Sequence, residues 1–377
     1  MTRTVRTSSL STPWPLLIAP DSRNMPARSC LAVLLLLVPR VALAGWSFCP
    51  AGSNTPCSDA NQASASSALS PGRVWDGNRS YTLLGYAQAS YCRVVEGNFT
   101  ACGEVCRGLP LLSNFSVITG AGMRGGLAFV GFDAAAQHIV VSFRGTQATN
   151  FRNWWSDLSS MKLVAMPSYM QCDATKTRPQ RCEGCQLGAG FVEAYDALRA
   201  GVLDAVLFLR REHPDAPAVV VGHSLGAALA SLHAMDLAAR GVPLAAAVTF
   251  GSPRTGNKNF SAYYATHVEG QGVMVETGTG TRSSDSASGS RDGASSSVYA
   301  WRVTHYRDPI VHLAARVQGL WHVPGEIFFT QATGLEHRLC DGSGEDPSCS
   351  YGTTPLPSTR DHLHYMDKRL GSYACPV

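Results

Sequence analysis

No block of lysine and arginine occurs in these 377 residues, which leaves nucleic-acid binding with little support. The formal net charge of +4 comes from one end of the chain. Residues 1–44 hold five arginines (Arg3, Arg6, Arg23, Arg28, Arg40) and one acid, Asp21; without them the 31 basic and 27 acidic residues become 26 of each. A membrane-spanning segment is also missing: the apolar run from Leu31 to Val38 is too short to cross a bilayer, and Arg40 closes it. No internal repeat is apparent. With 45% hydrophobic residues, the chain has enough apolar surface for one large core.

The N-terminal run reads instead as a secretory signal. Met25-Pro26-Ala27-Arg28 is a short charged lead, Leu31 to Val38 the apolar centre, and Ala42-Leu43-Ala44 a small-residue cleavage signature. Residues 1–44 are therefore expected to be an N-terminal extension plus signal, with translation starting at Met25 and the mature chain at Gly45. An uncleaved anchor is the weaker alternative. Twelve cysteines agree with an oxidising compartment. Close pairs recur at Cys49/Cys57, Cys102/Cys106, Cys182/Cys185 and Cys340 with Cys349, which follows Ser348. A zinc site at Cys182-Glu183-Gly184-Cys185 lacks ligands, since only Cys172 lies near as a third and zinc takes about four. Four Asn-x-Ser/Thr sequons, at Asn78, Asn98, Asn114 and Asn259, are compatible with glycosylation.

Residues 45–80, rich in Ser, Ala, Gly and Asn, read as a loosely ordered lead-in. From there strands and helices alternate. Tyr81 to Tyr91 has helical character. Leu127 to Phe132 and His138 to Phe143 are paired strands, and Gly190 to Glu212 carries apolar residues at helical spacing. Ala218 to Val221 and Leu244 to Phe250 are short apolar strands suited to a buried parallel sheet, with a helix from Leu225 to Arg240 between them. Tyr299 to Thr304 and Glu326 to Thr330 add further strands. The pattern predicts an α/β fold with a mostly parallel central sheet flanked by helices. From about Glu269 to Ser297 almost nothing apolar follows Val275, so this stretch reads as a disordered surface insert.

The chemistry starts at Gly222-His223-Ser224-Leu225-Gly226. A Gly-x-Ser-x-Gly pentapeptide alone proves little. Here an apolar strand runs into it and a small-residue helix leaves it, which is the strand–turn–helix setting of a nucleophile elbow. Glycines flank the serine because the turn is too tight for bulk. A serine hydroxyl needs a base, and in such elbows the order is Ser, then acid, then His. Asp236 lies on the following helix, where a solvated face is expected; Asp285 and Asp292 lie in the insert. Asp308 follows a strand end, where such sheets place reacting groups, and is the chosen acid. Five histidines then compete as base: His312, His322, His337, His362 and His364.

An ordered set of motifs resembles the class 3, or fungal-type, triacylglycerol lipases from about residue 81 to the C-terminus. They are Val141-Ser142-Phe143-Arg144-Gly145-Thr146, Asn153-Trp154, Gly188-Ala189-Gly190-Phe191, the pentapeptide, Thr249 to Asn257, Arg302 to Asp308, and Asp361-His362-Leu363-His364-Tyr365. The resemblance implies a single disulfide-stabilised α/β-hydrolase domain over 81–377. It makes Asp308 the acid, picks His362 as the base, and makes Thr146 an oxyanion donor beside the Leu225 N–H. His223 and His305 are expected to be structural. A lid is expected over Gln147 to Trp155, with Phe151, Trp154 and Trp155 lining an acyl site or meeting a lipid surface, or with Trp154 merely packing the lid base. The family pattern pairs Cys92 with Cys375 and leaves Cys172 without a clear partner. The implied activity is acylglycerol hydrolysis through an acyl-enzyme, without metal or cofactor, by a monomer acting at a membrane or emulsion surface. The chain would be secreted or held in the lumen of the secretory or lysosomal route. A phospholipase A, a soluble-ester hydrolase, and a non-catalytic lipid-binding protein on the same scaffold are the alternatives.

Overall fold

The computed structural model describes residues 74–92, 99–120, 126–147, 160–171, 181–270, 272–274, 295–353 and 358–375. The expected signal segment, Cys49, Cys57, Asn98, Cys172 and the expected lid residues Phe151, Trp154 and Trp155 lie outside them.

Helix α1 (Gly77–Ala89) begins four residues ahead of Tyr81, inside the expected lead-in. Its start is fixed by Asp76, whose carboxylate accepts the Arg79 N–H at 3.0 Å. Strands β1 (Leu112–Thr119), β2 (Leu127–Asp133) and β3 (His138–Phe143) follow, then short β4 (Leu163–Ala165) and β5 (Gln186–Gly188). Next come α2 (Ala189–Glu212), β6 (Ala218–His223), α3 (Leu225–Ala239), β7 (Leu244–Phe250) and α4 (Lys258–Tyr264). The chain continues through β8 (Gly272–Met274), β9 (Ser295–Ser297), β10 (Tyr299–His305), β11 (Glu326–Phe329) and β12 (His337–Leu339). It ends with α5 (Thr359–His362), β13 (His364–Tyr365) and β14 (Lys368–Arg369).

Eight strands form one sheet in the order β1-β2-β3-β6-β7-β10-β11-β12. The central neighbours β3-β6-β7-β10-β11 are parallel; the pairings β1-β2, β2-β3 and β11-β12 are antiparallel. Alternate residues of the strands feed two cores. Val141 and Val220 pack with Leu198 and Val202 of α2 and Leu229 of α3 on one face. Val140, Val219 and Val221 pack with Leu84 of α1 and Tyr365 on the other. Among the described residues no helix is long and apolar enough to cross a membrane.

Apart from α1, the strands and helices read from periodicity stand within a residue or two of their expected limits. The edge strands β1 and β12 carry no such signal. Along β1 the burial runs irregularly, because its register with β2 shifts between Ser113 and Ser116. Asp236 corrects an expectation: it is fully buried, not on a solvated face. Every residue of α3 is buried, so that helix has no wet side. Arg199 and Arg240 ion-pair with Asp236 at 2.6 and 2.9 Å, and the Tyr195 hydroxyl donates to it at 2.9 Å. The flanks of the expected insert, β8 and β9, pair antiparallel; residues 275–294 lie outside the described ones.

Four disulfides are formed among the described residues: Cys92–Cys375, Cys102–Cys106, Cys182–Cys185 and Cys340–Cys349.

Candidate active site

The parallel strands β3, β6, β7 and β10 end together, and the candidate groups sit just beyond those ends, as open α/β sheets dictate. Thr146 follows β3, Ser224 follows β6, Gly251 follows β7, and Asp308 follows β10.

Ser224 occupies φ +61°, ψ −127°, a region a residue with a side chain rarely adopts. It persists because the chain reverses from strand to helix within one residue. A Cβ on Gly222 would lie 2.1 Å from the Gly226 carbonyl oxygen, and one on Gly226 would lie 2.1 Å from that of Phe143. Both glycines are thus required by backbone contact. The turn is anchored by the Ser224 N–H, which donates to the Phe250 carbonyl at 3.0 Å.

The Ser224 Oγ lies 2.9 Å from His362 Nε2. His362 Nδ1 lies 3.0 and 2.9 Å from the two Asp308 oxygens. Asp308 also accepts the Ile310 N–H at 2.8 Å and the Tyr365 hydroxyl at 2.5 Å. Burial pushes the Asp308 carboxyl up, but the His362 charge and these hydrogen bonds outweigh it and hold the group below the usual carboxylate range. Tyr365 is driven well above its ordinary value by burial and by Asp308, so it stays a hydroxyl donor.

The other four candidate histidines lie elsewhere. His322 Nε2 faces the Val311 carbonyl, His312 Nε2 the Thr353 hydroxyl, His337 Nδ1 the Leu335 carbonyl and His364 Nδ1 the Arg360 carbonyl. Of the acids, Asp285 and Asp292 lie outside the described residues.

His223 and His305 brace the segment that carries His362. The His223 Nε2–H donates to the His362 carbonyl at 2.8 Å, which leaves Nδ1 to accept the Tyr91 hydroxyl at 2.7 Å. Burial, reinforced by neighbouring His362, lowers His223 to about 3 and keeps it neutral. The two His305 ring nitrogens lie 2.9 Å from the carbonyls of Asp361 and Gln331.

Thr146 Oγ1 is buried and has no hydrogen-bond partner among the described residues. Leu225 is the first residue of α3, so its N–H has no intrahelical acceptor. Both groups are thus candidate donors to an incoming oxygen, without a partner among the described residues.

Three contributors escaped the sequence reading: Tyr91, Gly251 and Tyr365. A Cβ on Gly251 would lie 2.8 Å from Asp308 Oδ2 and 2.9 Å from the Tyr365 hydroxyl, so its smallness clears space for the acid. Gly251 and Tyr365 both sit inside motifs that had been noted without a role for them. Among the described residues, one cluster holds metal-type donors, Glu326 with Cys340 and Cys349. Its cysteines are bridged and its carboxylate is paired with Arg302 at 2.8 Å, so it does not fit a metal.

Residues 140–318 match the family model described as lipase (class 3). A secreted mono- and diacylglycerol lipase of Fusarium solani is 29% identical over 283 residues, covering 72% of this chain and 71% of its own. Over these residues the chain is similar to the class 3 lipases. A lipase of Rhizomucor miehei is 26% identical over 298 residues, covering 77% of this chain and 68% of its own. Among solved structures, lipase II of Rhizopus niveus aligns with a TM-score of 0.59 at 25% identity, over 78% of this chain and 96% of its own. The triacylglyceride lipase of Rhizomucor miehei aligns with a TM-score of 0.61 at 23% identity, over 80% and 98%. These likenesses make the fold that of an α/β-hydrolase.

Proposed function

We propose that this chain is a secreted ester hydrolase that cleaves acylglycerols at a lipid surface, as a monomer, through a covalent acyl-enzyme. The observation that carries the reading is the unbroken line Ser224 Oγ–His362–Asp308, with hydrogen bonds of 2.9 to 3.0 Å. His362 Nε2 takes the Ser224 proton as Oγ attacks the acyl carbonyl. The imidazolium then gives that proton to the departing glycerol oxygen. Asp308 orients His362 through Nδ1 and offsets its transient charge. The Leu225 N–H and the Thr146 N–H and hydroxyl receive the oxyanion, where fixed donors are worth about 3–4 kcal/mol each. Water, deprotonated by His362, releases the fatty acid and restores Ser224. Phe151, Trp154 and Trp155 are proposed to meet the lipid. Secretion follows cleavage after Ala44, in keeping with relatives named as secreted lipases.

A fluorophosphonate probe is expected to label Ser224 in folded protein, and Ser224→Ala to abolish both labelling and hydrolysis. Triolein hydrolysis should rise sharply once the substrate forms an emulsion. Folded protein that takes no label overturns the enzyme reading. Phosphatidylcholine cleaved faster than triolein overturns the acylglycerol reading alone.

A further inference from the structure

The four sequons are not equivalent in the fold, and one coincides with a weak point of the sheet. Asn259 lies in the first turn of α4, and its amide donates to the Glu183 carbonyl at 3.1 Å. The hydroxyl of that sequon, Ser261, is buried and donates to the His322 carbonyl at 2.6 Å. Asn78 lies in the first turn of α1, and its sequon serine, Ser80, is fully buried against the Tyr299 hydroxyl at 2.7 Å. Asn98 lies outside the described residues.

Asn114 is different. It and Ser116 are both exposed, and its amide makes no hydrogen bond among the described residues. It stands at φ +47°, the left-handed region that asparagine tolerates better than most residues. It lies where the β1 register shifts, so two residues bulge out of the ladder. Among the described residues β1 is the outermost strand of the sheet, with β2 as its only partner. Such an edge presents unpaired N–H and C=O groups to any other strand, and proteins ordinarily cover or charge it. The Phe115 ring turns inward, 5.3 Å from Phe129. The exposed residues of β1 are Ser113, Asn114, Ser116, Val117 and Thr119, none of them charged. This edge therefore lacks the gatekeeping charge its position calls for.

We propose that Asn114 carries an N-linked glycan, and that this glycan covers the open edge of the central sheet and keeps the protein monomeric. It goes beyond ester hydrolysis but rests on the secretory route proposed above. N-terminal sequencing for a start at Gly45 tests that route separately.

The test uses the full chain recovered from the medium of a eukaryotic host. Enzymatic deglycosylation in heavy-oxygen water, followed by peptide mapping, should mark Asn114 and leave Asn78 and Asn259 unmarked. An unmarked Asn114 overturns the site. Ser116→Ala removes the sequon without disturbing the left-handed Asn114. It should lose one glycan, keep its activity on a soluble ester, and shift toward dimers and larger species on size-exclusion chromatography. Adding Val117→Lys, a charge on the same edge, should return it to monomer. A Ser116→Ala protein that stays as monomeric as the parent at equal concentration overturns the covering role.

Discussion

At the scale of single residues, the candidate site is braced by groups outside the Ser224–His362–Asp308 line. The Tyr91 hydroxyl joins three pieces of it. It donates to His223, whose other nitrogen fixes the His362 carbonyl; it also meets the backbone of Gly145, next to Thr146. A Cβ on Gly145 would fall 2.0 Å from that hydroxyl and 2.9 Å from Ser224 Cβ, so the motif glycine is there to admit Tyr91. Tyr91→Phe should leave substrate binding intact and loosen the base. We expect kcat on a soluble ester to fall roughly tenfold with KM unchanged, since small misplacements of reacting groups cost between one and two powers of ten. Steady-state kinetics read the split; a raised KM at constant kcat would instead make Tyr91 a substrate contact. Ser224 and Asp308 were legible because motif and strand end mark them locally. The choice among five histidines was not, because only the fold decides which one reaches Ser224, and the resemblance had to stand in for it. Tyr91 was silent for the same reason, lying 132 residues from its histidine partner.

At the scale of elements, the legible ones bury a regular face. The strands β6 and β7 and the helix α2 show it, and all were expected within two residues of where they lie. β1 was missed because its bulge and mixed burial destroy the period of two. On α3 the error ran the other way: a helix apolar on all sides offers no polar face, so a lone carboxylate looks solvated when it is ion-paired inside. The two kinds of turn glycine give separable outcomes. Gly222→Ala drives a Cβ into backbone at 2.1 Å and should prevent stable folding, read as loss of a cooperative urea transition. Gly251→Ala meets the Asp308 and Tyr365 side chains at φ +58°. It should cost about 1–2 kcal/mol of stability for the left-handed backbone yet remove most of the activity by displacing Asp308. Equal losses of stability in the two variants would contradict this division.

At the scale of the whole molecule, buried histidines set the acid limit. Burial lowers His223 to about 3 and His233 to about 4, and takes His322 well below its ordinary 6.5. All three are neutral in the folded chain above these values, whereas the unfolded chain protonates them near pH 6.5. Their contribution is complete above about pH 6.5 and is lost as pH falls below it; for His223 and His233 the loss continues down to about 3 and about 4, at roughly 1.4 kcal/mol per unit of displacement. Asp308, held below its ordinary 3.8, adds a loss in the same direction only below about pH 4. The melting temperature should therefore fall steadily from pH 6.5 downward, and His322→Gln should flatten that slope. A melting temperature constant between pH 6.5 and 4.5 would exclude this account. The fold class at this scale was legible from strand–helix alternation. The buried pairs Arg302–Glu326 and Arg254–Glu345 were not, because nothing in the local sequence distinguishes a buried charge with a distant partner from an exposed one.

The bridge between Cys92 and Cys375 spans 283 positions. Everything from Arg144 to Tyr365 that shapes the site falls inside the covalent ring it closes. The insert between β8 and β9 is part of that ring as well. Backbone scission at any one point between the two cysteines converts a ring to an open chain without creating a separable piece, so Ser224 and His362 remain parts of one molecule after the polypeptide between them is broken.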